Sequence, residues 1–153
     1  MCFVCGRQNP IGLQLEFYED HESNEIKAEV TVPDVYQGYP GIVHGGIISA
    51  ILDEVSGRAM MIEGGEDALF ATLRLTIRFR RPTPTETPLT AVGWVEQASR
   101  VGTRAAAEIR LPDGTVTAEC ESLVAQPPES FCENWEEEMR YWKVDKQRRP
   151  VGE

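Results

Sequence analysis

GIVHGGIISAILDEVSGRAMMIE, residues 41–63, decides the reading of this chain. Ile48, Ile51, Leu52, Val55, Ala59 and Ile62 recur at helical spacing and form one apolar stripe. A step of about 100° per residue puts Asp53 well off that stripe. Its same-face neighbours are Ser49, Ser56 and Gly57, with Gly46 two turns back. Small residues beside a carboxylate leave space that a ligand or a second subunit can fill. A functional acid and a plain solvated carboxylate both stay open for Asp53. Glu54 differs. It stands four residues before Arg58, the favoured orientation for a helix ion pair worth about 0.2–0.5 kcal/mol. That gives Glu54 a surface role that Asp53 lacks.

His44-Gly45-Gly46 stands where the helix begins. A helix N-terminus offers unpaired backbone N–H groups and a partial positive charge. Glycine lets an acceptor approach that backbone closely. Such a site suits a developing oxyanion, and it equally suits a tight loop-to-helix turn. His44 is placed to orient the loop by hydrogen bonding. His21 is the only other histidine, so no metal site is expected around His44.

The remaining pattern is mostly strands. Residues 13–18 and 25–32 read as a hairpin across a polar loop at 19–24, with Ile26, Ala28, Val30 and Val32 alternating. A Gly/Pro/Tyr-rich loop over 34–43 leads into a helix of about eighteen residues, ~27 Å long, stopped by Gly64-Gly65. Leu73, Leu75, Ile77 and Phe79 then alternate with polar residues, up to Pro82 and Pro84. Strands follow over 89–98, 102–111 and 115–126, the last two joined by a turn at Pro112-Asp113-Gly114. Phe131, Trp135, Met139 and Trp142 predict a terminal helix in 130–146, with early acids and late bases. The order is β-β-α-β-β-β-β, an α+β architecture with an antiparallel sheet on one central helix. The expected units are a domain over 1–128 and a helical extension over 129–153.

The 153 residues suffice for one domain with a sizeable core. No apolar run approaches the ~18 residues of a membrane span, and MCFVCGRQNP lacks the features of a signal peptide, so the expected location is the cytoplasm. The net charge of −10 argues against nucleic acid and anionic membranes as partners. Between Thr72 and Arg110, however, seven arginines against three glutamates leave +4, so the remainder carries −14. That basic island fits either a phosphorylated ligand or a solvated strand face. Four cysteines stand at 2, 5, 120 and 132. Cys2-Phe-Val-Cys5 has zinc-knuckle spacing, but one such pair is half a site, so reduced thiols and no metal are expected. No GxSxG, GxGxxG or P-loop occurs.

HGG at 44–46, an acid nine residues after the histidine and Arg81-Pro82 after the next strand together resemble the hotdog-fold acyl-CoA thioesterases. The nearest branch is the phenylacetate-pathway and 4-hydroxybenzoyl-CoA thioesterase type. CxxCGxxNPxGL at 2–13 is similar to the opening of a subgroup of these proteins, and the likeness extends over roughly residues 2–126. The resemblance implies a sheet wrapped around the helix, here with an extra C-terminal helix. It implies a homodimer, often paired again into a tetramer, and an acyl-CoA substrate with no cofactor. It implies Asp53 as nucleophile or general base and the Gly45 N–H as the group polarising the thioester carbonyl. His44, Gln37 in the preceding loop and Thr72 at the start of the next strand complete the implied catalytic set. Gly46, Arg80 and Arg81 are the implied substrate-binding residues. Two other readings share the sequence: a hydratase or dehydratase of the same fold, and a non-catalytic acyl-CoA or fatty-acid binding module.

Overall fold

One long helix on a six-stranded sheet forms the body of the described residues. The computed structural model describes residues 2–65, 70–99, 101–128 and 130. In chain order the elements are β1 (Phe17–Asp20), β2 (Glu25–Thr31), a 3-10 turn (Asp34–Tyr36), β3 (Gln37–Tyr39), β4 (Ile42–Val43) and α1 (Gly45–Arg58). A short α2 (Met61–Gly64) follows, then β5 (Ala71–Phe79), β6 (Pro88–Ser99), β7 (Gly102–Arg110) and β8 (Val116–Ala125). The large sheet is antiparallel and runs β1-β2-β6-β7-β8-β5, while β3 and β4 form a separate small hairpin. This is the hotdog arrangement: α1 packs against β2, β5, β6, β7 and β8 of the one sheet.

The packing follows from the apolar stripe. Ile51, Leu52 and Val55 are fully buried against Ile26, Ala28, Ala91, Ala107, Ile109 and Ala118. Each such helix residue contributes about 1.5–3 kcal/mol by leaving water. Alanines on the facing strands bring helix and sheet close. At Gly93 the approach leaves no room for a side chain: a Cβ there would lie 2.6 Å from the Val55 carbonyl oxygen.

Three expectations change. First, α1 has 14 residues rather than about eighteen. The Met60 N–H bonds the Gly57 carbonyl, an i−3 bond that tightens and ends the turn before α2 begins. Gly65, at φ +76°, stops α2. Secondly, the first strand starts at Phe17. Gln14 takes a left-handed φ of 53°, and Leu13 and Leu15 instead donate to the Phe3 and Val4 carbonyls of the N-terminal loop. Thirdly, the alternation in β5 is broken by a bulge between Thr72 and Arg74. Leu75 and Ile77 face the core, but Leu73 is 61% exposed. The turn at 112–114 forms as expected, with Gly114 at φ +83° and Asp113 accepting the Thr115 N–H. The expected helix in 130–146, Cys132 and Arg100 lie outside the described residues, apart from Ser130.

Candidate active site

Asp53 projects from α1 beside the start of β5. Its Oδ1 accepts a hydrogen bond from the Thr72 hydroxyl at 2.8 Å. The carboxylate is half-buried, so it is held without being shut off from solvent. The bulge after Thr72 turns this side chain toward the helix.

At the N-terminal end of α1, His44 is the cap. Its Nδ1 accepts the Gly46 N–H at 2.9 Å, and its carbonyl accepts the Ile47 and Ile48 N–H groups. With Nδ1 accepting, the neutral ring carries its proton on Nε2. The Gly45 N–H meets no acceptor among the described residues. A Cβ at Gly45 would touch the Phe79 ring at 3.5 Å, so this N–H opens beside an exposed aromatic side chain.

The other candidates separate. The Gly46 N–H is already committed to His44. Gln37 is exposed on β3, and its Oε1 accepts the Gly41 N–H at 3.0 Å, closing its own hairpin. Arg80 makes a two-pronged contact with Glu119 at 2.5 and 2.6 Å, which raises the arginine further above its ordinary value. Arg81 has no carboxylate at ion-pair distance among the described residues, although, after the hydrogen bond from the Thr115 N–H, its charge is one of the influences that lower Asp113. Part of the basic island is ion-paired: Arg78 also reaches Glu119, Arg104 faces Glu96 and Arg110 faces Glu108, though Glu119 is the only acid among these from outside the island.

The space expected beside Asp53 is narrower than four small residues suggest. A Cβ at Gly57 would lie 2.0 Å from the Phe70 ring, so Phe70 already fills that space. Ser56 is fully buried. Gly46 and Ser49 remain accessible. The Glu54–Arg58 pair forms at 2.8 Å, but it is no surface pair: Arg58 is 1% exposed, lies 4.3 Å over the Phe17 ring and donates to Cys5 Sγ at 3.1 Å. Sequence spacing gave no sign that Glu54 also faces Cys2. Of that cysteine pair, the Cys5 thiol chiefly pulls Cys2 down to about 6, and the Cys2 contact pushes Cys5 up. Burial raises Cys120 to about 11.

Residues 40–118 match the family model described as Thioesterase superfamily. No curated protein matches the chain. Among solved structures, one described as a thioesterase superfamily protein is 31% identical over 81% of this chain, with a TM-score of 0.75. The chain spans 62% of that protein's length. A phenylacetic acid degradation-related protein of Ralstonia eutropha JMP134 is 23% identical, with a TM-score of 0.64 over 73% of this chain and 84% of its own. The E. coli PaaI protein from the phenylacetic acid degradation operon is 18% identical, with a TM-score of 0.65 over 76% of this chain and 81% of its own. At these lower identities the likeness is one of fold.

Proposed function

The chain belongs to the thioesterase superfamily, and from that premise we propose that it hydrolyses an acyl-CoA thioester at a site built on Asp53. The observation that carries the proposal is the Thr72–Asp53 hydrogen bond at 2.8 Å. It commits one carboxylate oxygen and leaves the other for chemistry. Asp53 Oδ2 either takes a proton from water as the water oxygen bonds the carbonyl carbon, or attacks that carbon itself to give an anhydride that water then opens. The developing oxyanion is met by the Gly45 N–H. The C–S bond breaks and the coenzyme A thiolate leaves, taking up a proton. The acyl group is aryl or medium-chain, and no metal takes part in the reaction.

One chain does not supply both groups to one thioester. Gly45 and Asp53 belong to the same unbroken helix, eight steps and ~12 Å apart along its axis. The oxyanion donor and the attacking atom must both lie ~3 Å from one carbonyl group. Two chains therefore share each site, Gly45 from one and Asp53 from the other. The exposed apolar residues Tyr39, Leu73 and Phe79 support this assembly, and so does β5, an edge strand of the large sheet. In this arrangement His44 shapes the helix start and Gln37 the loop before it. Gly46 gives the acyl chain clearance, and Arg81 rather than the ion-paired Arg80 meets a coenzyme A phosphate. A panel of acyl-CoA esters with free-thiol detection tests the proposal. Thiol release is expected from at least one aryl or medium-chain ester, and none above background from folded protein would overturn it.

A further inference from the structure

Cys2, Cys5 and Glu54 bring two sulfurs and a carboxylate oxygen within 4.8 Å of one another, and none of the three takes part in the Asp53–Thr72 contact. The sequence pairs only the two cysteines. The fold supplies the third group from α1, 49 residues further on.

The loop is shaped around the first sulfur. The Val4 and Cys5 N–H groups both point at Cys2 Sγ, at 3.2 and 3.4 Å. Gly6 donates to the Cys2 carbonyl at 3.0 Å, and a Cβ at Gly6 would sit 2.4 Å from that oxygen. Only glycine allows this turn. The Asn9 side chain holds the same carbonyl at 3.3 Å. Backbone amides aimed at a sulfur favour its thiolate and orient it as a ligand.

The spacing has a metric meaning. Tetrahedral zinc with bonds of ~2.3 Å to sulfur and ~2.0–2.2 Å to oxygen sets its ligands ~3.5–3.8 Å apart. Cys2 Sγ and Glu54 Oε2 stand 3.7 Å apart. Glu54 uses its other oxygen, Oε1, for Arg58. Arg58 also donates to Cys5 Sγ, so it braces two of the three groups from the buried side. The charge balances as well. Two thiols, one carboxylate and one guanidinium sum to zero. Replacing the two thiol protons by one divalent cation leaves that sum unchanged, so no uncompensated charge is buried.

We propose that Cys2, Cys5 and Glu54 bind one zinc ion, with an exchangeable ligand from solvent in the fourth position on the half-exposed Cys2 side. Two soft thiolates select zinc over magnesium or calcium. The ion staples the N-terminal loop to α1 at the residue next to Asp53.

The test uses the full chain, purified under reducing conditions, with zinc measured by elemental mass spectrometry. Cobalt(II) added to metal-free protein reports the ligands. About one zinc per chain is expected, with a thiolate-to-cobalt charge-transfer band and visible bands of tetrahedral cobalt. Zinc should raise the melting temperature of the wild-type chain. Cys2→Ser should lose the charge-transfer intensity of one thiolate and most of the affinity. Glu54→Gln should bind about tenfold more weakly or worse, with altered visible bands. Folded, reduced wild-type protein that takes up neither zinc nor cobalt overturns the site, whatever the variants do. So does a Glu54→Gln chain whose affinity and cobalt spectrum are unchanged. Protein isolated as a Cys2–Cys5 disulfide, and still metal-free after reduction, counts equally against it.

Discussion

Thr72→Val removes one hydroxyl and little else. Valine matches threonine in volume and suits a strand, so β5 and its bulge should persist. Asp53 loses the hydrogen bond now made at 2.8 Å. A hydrogen bond to a charged group is worth about 1.5–3 kcal/mol. At ~1.4 kcal/mol per tenfold, the ceiling is a loss of about 10- to 150-fold in rate. Asp53 is only half-buried, so water replaces part of what is lost, and the lower part of that range, about 10- to 30-fold, is expected. The loss should fall on kcat with KM nearly unchanged, because Thr72 touches the acid rather than the acyl group. Thr72→Ser keeps the donor and should recover most of the rate. Steady-state kinetics on the best ester of the panel, with melting temperatures as the control for folding, decide the matter. An unchanged kcat in Thr72→Val, or a Thr72→Ser chain as slow as Thr72→Val, refutes the idea that this hydroxyl positions Asp53.

Asp53→Asn should lower turnover by on the order of 10² or more. Glu54→Gln should cost far less, since Glu54 faces Arg58 and Cys2, and equal losses in the two variants would remove the distinction. Chains carrying Asp53→Asn and chains carrying Gly45→Pro, each inactive alone, should recover up to roughly a quarter of wild-type activity when unfolded and refolded together. That follows from one intact shared site per mixed dimer under random pairing. Verified mixed dimers without recovery would refute the two-chain site. Asp20 provides a pH marker: its hydrogen bond from Lys27, at 2.6 Å, holds it at about 2. The folded value lies below the unfolded ~3.9, so this contribution to stability is present above that value and is lost as pH falls through about 2. Titration by NMR should show Asp20 moving up toward the ordinary range in Lys27→Met, and an unmoved titration would assign the shift to something else.

The strands and the helix were legible because each carries a period. Alternation in β2 and the stripe on α1 are consequences of burying one face, and burial is what the fold kept. The β3–β4 hairpin was not legible, since strands of three and two residues are too short to show a period. The acid, the helix start and Thr72 were named from sequence pattern and family resemblance, and the structure brings Asp53 and Thr72 into contact. What escaped notice depends on who fills a space. Gly57 read as room to spare, yet Phe70, thirteen residues on, occupies it. Arg58 read as a surface partner, yet it is buried under Phe17 and the N-terminal loop. Spacing along one helix says which residues share a face, and nothing about what the rest of the chain lays on it.

The single extra residue in β5 also bears on how such a protein can change over time. A strand is a two-sided tape, and any uninterrupted count from Ile77 back to Thr72 ends on the outer side. The bulge takes Leu73 out of that count and so delivers Thr72 to Asp53. Removing Leu73 would make the tape regular, with Thr72 still across from Val124 and Arg74 across from Leu123, so the hydroxyl stays on the inner side. The bulge is therefore slack in the strand: loss of that one codon can be taken up without moving the carboxylate's partner. A one-residue gap at this point of the strand is therefore compatible with the same hydroxyl–carboxylate pair.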